Sequence, residues 1–167
     1  MHRAPTRLRA SALAAALITT LALAACQPNA PAITPPTTAK AACTTSTTRS
    51  IVVAESIVTN VRRLLAAAKA DGVKLCGGGY RDSASQIAVR KANCGTTYYD
   101  VYEKPASQCT PPTAKPGTSQ HEKGLAIDFE SCETRTTACY KWLAKNAATY
   151  GLKNLPSEPW HWSTTGG

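Results

Sequence analysis

The chain has 167 residues and a formal net charge of +9, and two features of its composition point in opposite directions. Val, Ile, Leu and Phe together number only 26, a fraction low enough to be typical of disordered chains. The seven cysteines indicate instead a small exported domain in which disulfides supplement a limited hydrophobic core. The length allows one domain, and the basic residues are too scattered among non-aromatic neighbours to indicate a nucleic-acid-binding protein.

The first 25 residues have the pattern of a targeting segment. Three arginines precede an apolar run over 10–22, which is too short for a transmembrane helix. The following Leu-Ala-Ala-Cys sequence ends at Cys26 and resembles the lipobox of bacterial lipoproteins. The resemblance implies removal of residues 1–25 and a lipid on Cys26, so that the protein is anchored at a membrane surface outside the cytoplasm. The alternative is an ordinary signal peptide that is cut nearby.

Residues 26–49 are rich in Pro, Thr and Ala and contain no aromatic side chain. Such a segment cannot bury enough apolar surface to fold, so it is predicted to be a tether between the membrane and the folded domain. The domain itself is predicted to span 50–167. Without the three arginines of the leader the net charge is +6, and six cysteines remain besides Cys26, an even number that allows full pairing in an oxidising compartment.

In chain order, the first predicted element of the domain is a helix over 54–68, where apolar residues recur at helical spacing before Gly72. A short strand over 73–76 leads into three consecutive glycines, where the backbone must turn tightly or approach a neighbour closely. A second helix is predicted from Ser83, a suitable N-cap residue, to about Lys91.

The second half of the domain is predicted to contain strands, loops and one further helix. Residues 98–102 are a possible strand within a proline-rich stretch, and alternating apolar residues predict a strand over 125–129. A third helix is predicted over 135–150, ending at Gly151, and a last short strand over 160–163. Because helices and strands do not alternate regularly, the predicted fold class is α+β with a small antiparallel sheet.

Once the leader is removed, the chain retains two histidines, His121 and His161. A catalytic zinc takes three protein ligands, from His nitrogen or carboxylate oxygen, and leaves its fourth position to water. Asp128 could supply the third ligand from the predicted strand, and Glu158 could take a proton from the water. These residue types alone are weak evidence, because an isolated histidine is usually a plain surface residue.

Three short segments contain these candidate residues and several polar neighbours. Residues 119–128, Ser-Gln-His-Glu-Lys-Gly-Leu-Ala-Ile-Asp, match the pattern S-x-H-x-x-G-x-A-x-D, and residues 158–162 match E-P-W-H-W. The segment 79–81, Gly-Tyr-Arg, followed by Gln86, resembles S-G-Y-R-S-x-x-x-Q. With these motifs in this order over 79–162, the chain resembles the zinc D-alanyl-D-alanine carboxypeptidases of the VanY type.

The resemblance implies a lysozyme-hedgehog-like α+β fold, the hedgehog/DD-peptidase fold, which holds one zinc ion. By position in the motifs, His121, Asp128 and His161 would be the zinc ligands. Glu158 would be the general base and later the proton donor. Arg81 would stabilise the oxyanion or hold the substrate. Such an arrangement suits hydrolysis, because zinc polarises the scissile carbonyl and a guanidinium stabilises the charge that develops on its oxygen.

Ser119, Gln86 and Tyr80 are weaker candidates, for contact with the substrate or support of the site. The alternatives are a helix-surface position for Gln86 and a core position for Tyr80. Gly78 and Asp82 stand where the family motif has serine. Asp82 could therefore orient the neighbouring guanidinium or partly neutralise it.

Disulfide pairing is open at the level of the sequence, because six thiols can pair in many ways. Cysteines that bracket a short turn between a strand and a helix are the first pair to expect, and a second pair would close the proline-rich loop. The predicted pairs are Cys132 with Cys139, Cys94 with Cys109, and Cys43 with Cys76.

The resemblance implies a function in the bacterial cell wall. The predicted activity is zinc-dependent hydrolysis of D-Ala-D-Ala or related bonds in peptidoglycan stem peptides. An L,D-carboxypeptidase or an endopeptidase of the same fold remains an alternative, as does a non-catalytic zinc-fold module that binds wall peptides. The presence of a full ligand set together with the base favours an enzyme, and a monomer is the default expectation.

Overall fold

The structure is a computed structural model that describes the backbone of residues 37–39 and, in full, residues 51–167. The predicted leader, the predicted lipidation site Cys26 and the cysteine Cys43 lie outside these residues, as does the predicted tether apart from 37–39. Within the described part of the chain, no helix is both long and apolar enough to cross a membrane.

The described residues form short strands and three α-helices, in an irregular order. The strands are β1 (Thr37–Ala39), β2 (Ile51–Val53), β3 (Gly77–Gly78), β4 (Ala126–Phe129), β5 (Lys153–Leu155) and β6 (Glu158–Ser163). The helices are α1 (Glu55–Ala70), α2 (Ser83–Cys94) and α3 (Ala138–Asn146), with a π-helical turn over Tyr99–Glu103 and 3-10 turns over Ala106–Gln108 and Ala147–Tyr150. The predicted α+β class is confirmed, whereas β1, β2 and β5 were not expected from the sequence, and β1 lies within the predicted tether.

The main sheet has four antiparallel strands in the order β3-β4-β6-β5, and β1 pairs separately with β2. In the β4–β6 ladder Asp128 lies directly opposite His161. Directly opposed residues of an antiparallel pair point to the same face of the sheet. The register therefore brings two of the three candidate zinc ligands together from positions far apart in the sequence.

One hydrophobic core lies between α1, α3 and the opposite face of the sheet. Helix α1 contributes side chains at helical spacing, so that its apolar stripe faces inward. Strand β2 adds two fully buried residues, and β4 and α3 complete the cluster. The core includes Ile51, Val53, Val58, Val61, Leu64, Ala68, Ile127, Phe129, Leu143 and Trp162.

The strand predicted over 73–76 is not formed, and a two-residue strand follows it instead, at Gly77–Gly78. This strand pairs with Asp128 and Phe129 of β4. A Cβ atom on Gly77 would lie only 1.8 Å from the carbonyl oxygen of Asp128. The close approach to β4 therefore requires glycine at this position. As a result, the strand that pairs with β4 lies within the three glycines and not at 73–76.

The strand predicted over 98–102 is a π-helical turn. Asp100 accepts a hydrogen bond from the Thr97 hydroxyl at 2.7 Å and from the Lys104 ammonium at 3.2 Å, which closes the turn locally. Val101 is buried, while its tyrosine neighbours are exposed. The apolar and aromatic residues of this segment thus suggested a strand, but local hydrogen bonding by polar side chains determined its conformation.

Two helix boundaries differ from the sequence prediction. The N-cap of α2 is Asp82, whose carboxylate accepts a hydrogen bond from the backbone N–H of Ser85 at 2.7 Å. Ser83 is therefore the first helical residue. Helix α3 begins later than predicted, after the N-cap Thr137, and its 3-10 extension ends at Gly151, as predicted, with a φ of +76°.

Two of the predicted disulfides are formed, Cys94–Cys109 and Cys132–Cys139. The first ties the end of α2 to the loop that follows the π-helical turn. The second joins the segment after β4 to the start of α3. Each closure of this kind contributes about 2–4 kcal/mol to stability. Cys76 is also disulfide-bonded, and its predicted partner, Cys43, lies outside the described residues.

Candidate metal centre and active site

The three candidate zinc ligands converge from a turn and two strands. His121 precedes β4, Asp128 lies in β4 and His161 lies in β6. One carboxylate oxygen of Asp128 is 2.9 Å from Nδ1 of His161, and the other is 3.2 Å from Nε2 of His121. The two imidazole nitrogens are 3.3 Å apart. The sequence therefore named three residues whose ligand atoms all lie within 4.8 Å of one another.

The hydrogen bonding of His121 shows how this group suits a cation. Its Nδ1 is 2.7 Å from the carbonyl oxygen of Gly79, which can only accept, so Nδ1 carries the proton. In the neutral ring Nε2 then turns a lone pair toward Asp128. Ligand atoms about 2.0 Å from a tetrahedral zinc lie roughly 3.3 Å apart, close to the separations observed here. The donor set and its spacing therefore fit zinc, and Gly79 supplies the outer hydrogen bond that orients a metal-binding imidazole.

His161 faces the cluster through Nδ1. Its other nitrogen, Nε2, is buried and has no hydrogen-bond partner among the described residues. Buried polar atoms are nearly always paired, so an orphan is expected mainly at functional sites. The ring is held by its place in β6 and by the contact of Nδ1 with Asp128, rather than by a second hydrogen bond.

The surroundings of Asp128 favour its ionised form. Burial raises the pKa of this carboxyl group, but its close contacts with the imidazoles of His121 and His161 lower the pKa by more, and the net result is a pKa well below the usual range. The carboxylate is therefore charged at neutral pH. This is the form in which an aspartate binds a metal ion.

Glu158 has a different environment, at the start of β6. Burial raises the pKa of this half-buried carboxyl group above its usual value, and the attraction of His161 only partly offsets the effect. A glutamate whose pKa is moved toward neutrality can accept a proton in one step and return it in the next. The pKa of Asp128 is thus lowered and the pKa of Glu158 is raised. The first shift suits a metal ligand and the second suits a proton carrier.

Arg81 lies at the edge of the cluster. Its Nη2 is 3.4 Å from a carboxylate oxygen of Asp128, and its Nη1 donates to the side-chain oxygen of Gln86 at 2.9 Å. Its backbone N–H donates to the carbonyl oxygen of His121. The guanidinium group is therefore held next to the candidate metal ligands, with part of its surface open to solvent.

A cavity of about 260 Å³ opens beside these residues. Its lining includes Gly78, Tyr80, Arg81, His121 and Asp128. A second cavity of about 390 Å³, which the sequence did not indicate, lies on the side of Asp128 where Phe129 and Trp160 are found. Asp128 therefore borders both cavities, and His121 borders the first.

The weaker candidates differ in burial: Tyr80 is exposed, whereas Gln86 and Ser119 are buried. Tyr80 is 42% exposed and lines the first cavity, so the core position considered for it is wrong. Gln86 is 1% exposed, so a position on the helix surface is also wrong. Ser119 is buried, and its hydroxyl accepts the backbone N–H of His121 at 3.2 Å. Asp82 caps α2 and does not pair with the neighbouring Arg81.

Gly79 was not identified from the sequence as part of the site. Its carbonyl oxygen orients His121, and a Cβ atom at this position would lie 2.1 Å from the carbonyl oxygen of Val52. Two local signals were its place in the Gly-Tyr-Arg motif and the run of three glycines. The run indicated a close approach of the backbone but did not show which residues are approached.

Comparison with known proteins identifies the family. Residues 50–166 match the family model described as VanY, D-alanyl-D-alanine carboxypeptidase. The chain belongs to this family. A curated D-alanyl-D-alanine carboxypeptidase of Enterococcus faecalis is 29% identical over 119 residues, which are 62% of this chain and 44% of that protein. The chain therefore spans less than half the length of this relative.

Solved structures support the same fold. The vancomycin-resistance D,D-pentapeptidase VanY, in complex with Zn(II), aligns with a TM-score of 0.51 and 24% identity over 71% of this chain and 76% of that one. VanYB in complex with D-alanine-D-alanine aligns with a TM-score of 0.51 and 23% identity, over 71% and 75%. The LD-carboxypeptidase LdcB aligns with a TM-score of 0.53 and 25% identity, over 74% and 64%.

Proposed function

We propose that this protein is a zinc-dependent D,D-carboxypeptidase that removes the C-terminal D-amino acid from peptidoglycan stem peptides. The observation that carries the proposal is the convergence of His121, Asp128 and His161, with ligand atoms within 4.8 Å of one another, in a member of the VanY family. Glu158 and Arg81 add a proton carrier and a cation. Zinc bound by the three ligands would act as a Lewis acid that polarises the scissile carbonyl and acidifies water.

The protein side chains then have distinct roles in hydrolysis. Glu158 takes the proton of the attacking water and later gives it to the leaving amine, which its raised pKa suits. The guanidinium of Arg81 stabilises the negative charge that develops on the carbonyl oxygen of the substrate. Tyr80, exposed in the cavity, contacts the peptide. The backbone of Gly79 keeps His121 in the orientation that a ligand needs.

The proposal also specifies which peptide bond is cut. The structural relatives include both a D,D-pentapeptidase and an LD-carboxypeptidase, so the chemistry at the cluster suits either substrate. We favour the D,D reaction because the family model and the curated relative are both described by it. An L,D-carboxypeptidase or an endopeptidase would release different products, and a binding module would release none.

We further propose that the protein is exported and anchored by a lipid on Cys26. The lipobox pattern and the tether-like composition of 26–49 support this location. The proposed substrate is then on the same side of the membrane as the enzyme. Labelling with a radioactive or clickable fatty acid, with Cys26→Ser as the control variant, would test the anchor.

The decisive experiment is mass spectrometry of stem peptides incubated with the zinc-loaded protein. We expect pentapeptides to lose one C-terminal D-alanine. Glu158→Gln should bind zinc with unchanged stoichiometry but lower kcat by roughly 10²- to 10⁴-fold, because it cannot accept a proton. Glu103→Gln, in the π-helical turn, is the matched control and should retain activity.

Four results would contradict the proposal. Full activity of Glu158→Gln would exclude this residue as the base. Stoichiometric zinc without turnover across pentapeptides, tetrapeptides and cross-linked dimers would indicate a binding module. Loss of the last residue from tetrapeptides alone would identify an L,D-carboxypeptidase, and cleavage within dimers would identify an endopeptidase.

A further inference from the structure

Gln86 is a buried glutamine that contacts Arg81, one of the residues lining the first cavity. It lies in the first turn of α2 and is 1% exposed. Its side-chain oxygen accepts a hydrogen bond from Nη1 of Arg81 at 2.9 Å. Its side-chain nitrogen donates to the carbonyl oxygen of Ala114 at 2.8 Å. Both ends of the amide are therefore engaged.

These two hydrogen bonds define the orientation of the amide group. A flipped amide would place its NH2 group against the guanidinium of Arg81 and its oxygen against the carbonyl of Ala114, and both contacts would be repulsive. The amide has little exposed surface on which a substrate could bind. Direct contact with the substrate, one of the roles expected for Gln86, is thus disfavoured by its burial.

We propose that Gln86 is a positioning residue, which holds the guanidinium of Arg81 in place beside the candidate metal ligand Asp128. The inference deepens the proposed function and rests on it, because it assumes that Arg81 acts on the substrate. Gln86 acts only through Arg81. The carbonyl of Ala114 is the fixed point from which the position of the guanidinium is set.

Ala114 is a suitable anchor because the preceding residue is tied to α2. Arg90 of α2 is fully buried and donates to the carbonyl oxygen of Thr113. Asn93 donates to the Thr113 hydroxyl at 2.9 Å. The disulfide Cys94–Cys109 joins the same helix and loop. These contacts hold the loop against α2. The carbonyl of Ala114 therefore has a fixed position relative to Gln86.

Arg81 needs this support because its other side-chain contact is weak. The separation of 3.4 Å between Nη2 and Asp128 is long for a charge-assisted hydrogen bond, and the arginine side chain is 25% exposed. A long, partly exposed arginine has many accessible rotamers, and fixing it costs conformational entropy. Gln86 restricts these rotamers before the substrate binds. A misplacement of about 1 Å in such a group can cost roughly 10²-fold in rate.

A double-mutant cycle tests the proposal. Gln86→Leu keeps much of the side-chain volume and removes both hydrogen bonds. We expect it to lower kcat by roughly 10- to 100-fold, with a smaller change in KM, while zinc stoichiometry stays the same. In the Arg81→Ala background, Gln86→Leu should have almost no further effect, because the group that it positions is absent. An equal fold-loss in both backgrounds would overturn the proposal.

Asn93→Ala is the matched control. It removes one hydrogen bond between α2 and the same loop, but Arg90 and the disulfide Cys94–Cys109 still hold that loop, and Asn93 makes no hydrogen bond to Arg81. We expect near-normal kcat in this variant and a melting temperature lowered about as much as in Gln86→Leu. If Asn93→Ala loses activity to the same extent, anchoring of the loop, and not placement of Arg81, is the cause.

A second measurement does not depend on hydrolysis and so separates failure of this inference from failure of the proposed function. NMR of the arginine side chains should show restricted rotation of the Arg81 guanidinium in the unaltered protein and averaged Nη signals in Gln86→Leu. Asn93→Ala should retain the restricted signals. Restricted Arg81 signals in Gln86→Leu would overturn the positioning role even if the protein proved to have no peptidase activity.

Discussion

The three consecutive glycines of the chain have different physical requirements. A Cβ atom on Gly77 or Gly79 would lie within about 2 Å of a neighbouring carbonyl oxygen, that of Asp128 or Val52. A Cβ atom on Gly78 would have no heavy atom within 4 Å. Two of the glycines are thus required by the approach of the backbone to its neighbours, whereas Gly78 is free to vary sterically. The motif comparison already separates Gly79, which matches the family glycine, from Gly78, which replaces a serine, but it does not show these steric requirements.

This difference predicts opposite outcomes for two alanine substitutions. Gly79→Ala should displace the carbonyl that orients His121 and weaken zinc binding by roughly 10- to 100-fold, as loss of an outer-sphere partner typically does. Gly78→Ala should leave zinc affinity and melting temperature close to those of the unaltered protein. Competition with a chromophoric chelator would measure both affinities. Equal weakening by the two substitutions would contradict the assignment of Gly79.

At the scale of elements, α2 connects the site to the loop-rich part of the domain. Arg90 on this helix is fully buried and donates to the carbonyl oxygens of Val101, Lys104 and Thr113. No strand is needed to satisfy these carbonyls. The helical pattern predicted α2, but it gave no indication that an arginine would be in the interior. This buried arginine adds to the local hydrogen bonds of Asp100 in holding the π-helical turn where a strand was predicted over 98–102.

Replacement of this arginine should destabilise the protein strongly. Arg90→Met keeps an apolar stem but leaves several buried carbonyl oxygens without donors, each at a cost of about 1–3 kcal/mol. We expect the free energy of unfolding to fall by roughly 3 kcal/mol or more, measured by urea denaturation with the disulfides intact. Arg63→Met, on the exposed side of α1, should change it by less than about 0.5 kcal/mol. Similar values for the two variants would show that the carbonyls find other partners.

At the scale of the whole molecule, a metal ion would link parts of the chain that are distant in sequence. The candidate ligands come from the turn before β4, from β4 itself and from β6. Without a cation, a carboxylate and two imidazoles are held together beside a cavity, with Asp128 partly exposed. A ligand that binds only the folded state stabilises it by about 2.7 kcal/mol at a free concentration 100 times its dissociation constant.

Removal of zinc should therefore lower the thermal stability of the domain. For a domain of this size, chelation is expected to reduce the melting temperature by roughly 10 °C, with recovery when zinc is restored. Differential scanning calorimetry, with and without chelator, would measure the change. His161→Ala lacks one candidate ligand and should respond much less. An equal response of this variant would place the stabilising ion elsewhere.

The sequence by itself determined the chemical identities at the site and much of the local structure. Short motifs, read with the family resemblance, identified His121, Asp128 and His161, and apolar spacing predicted the helices and the strand β4, because both depend on residues close together in the chain. Only the tertiary structure decided which side chains meet. The β4–β6 register brings Asp128 opposite His161, close packing selects Gly79, and burial converts Gln86 from a possible substrate contact into a support for Arg81. These outcomes depend on contacts between distant segments, which local patterns do not encode.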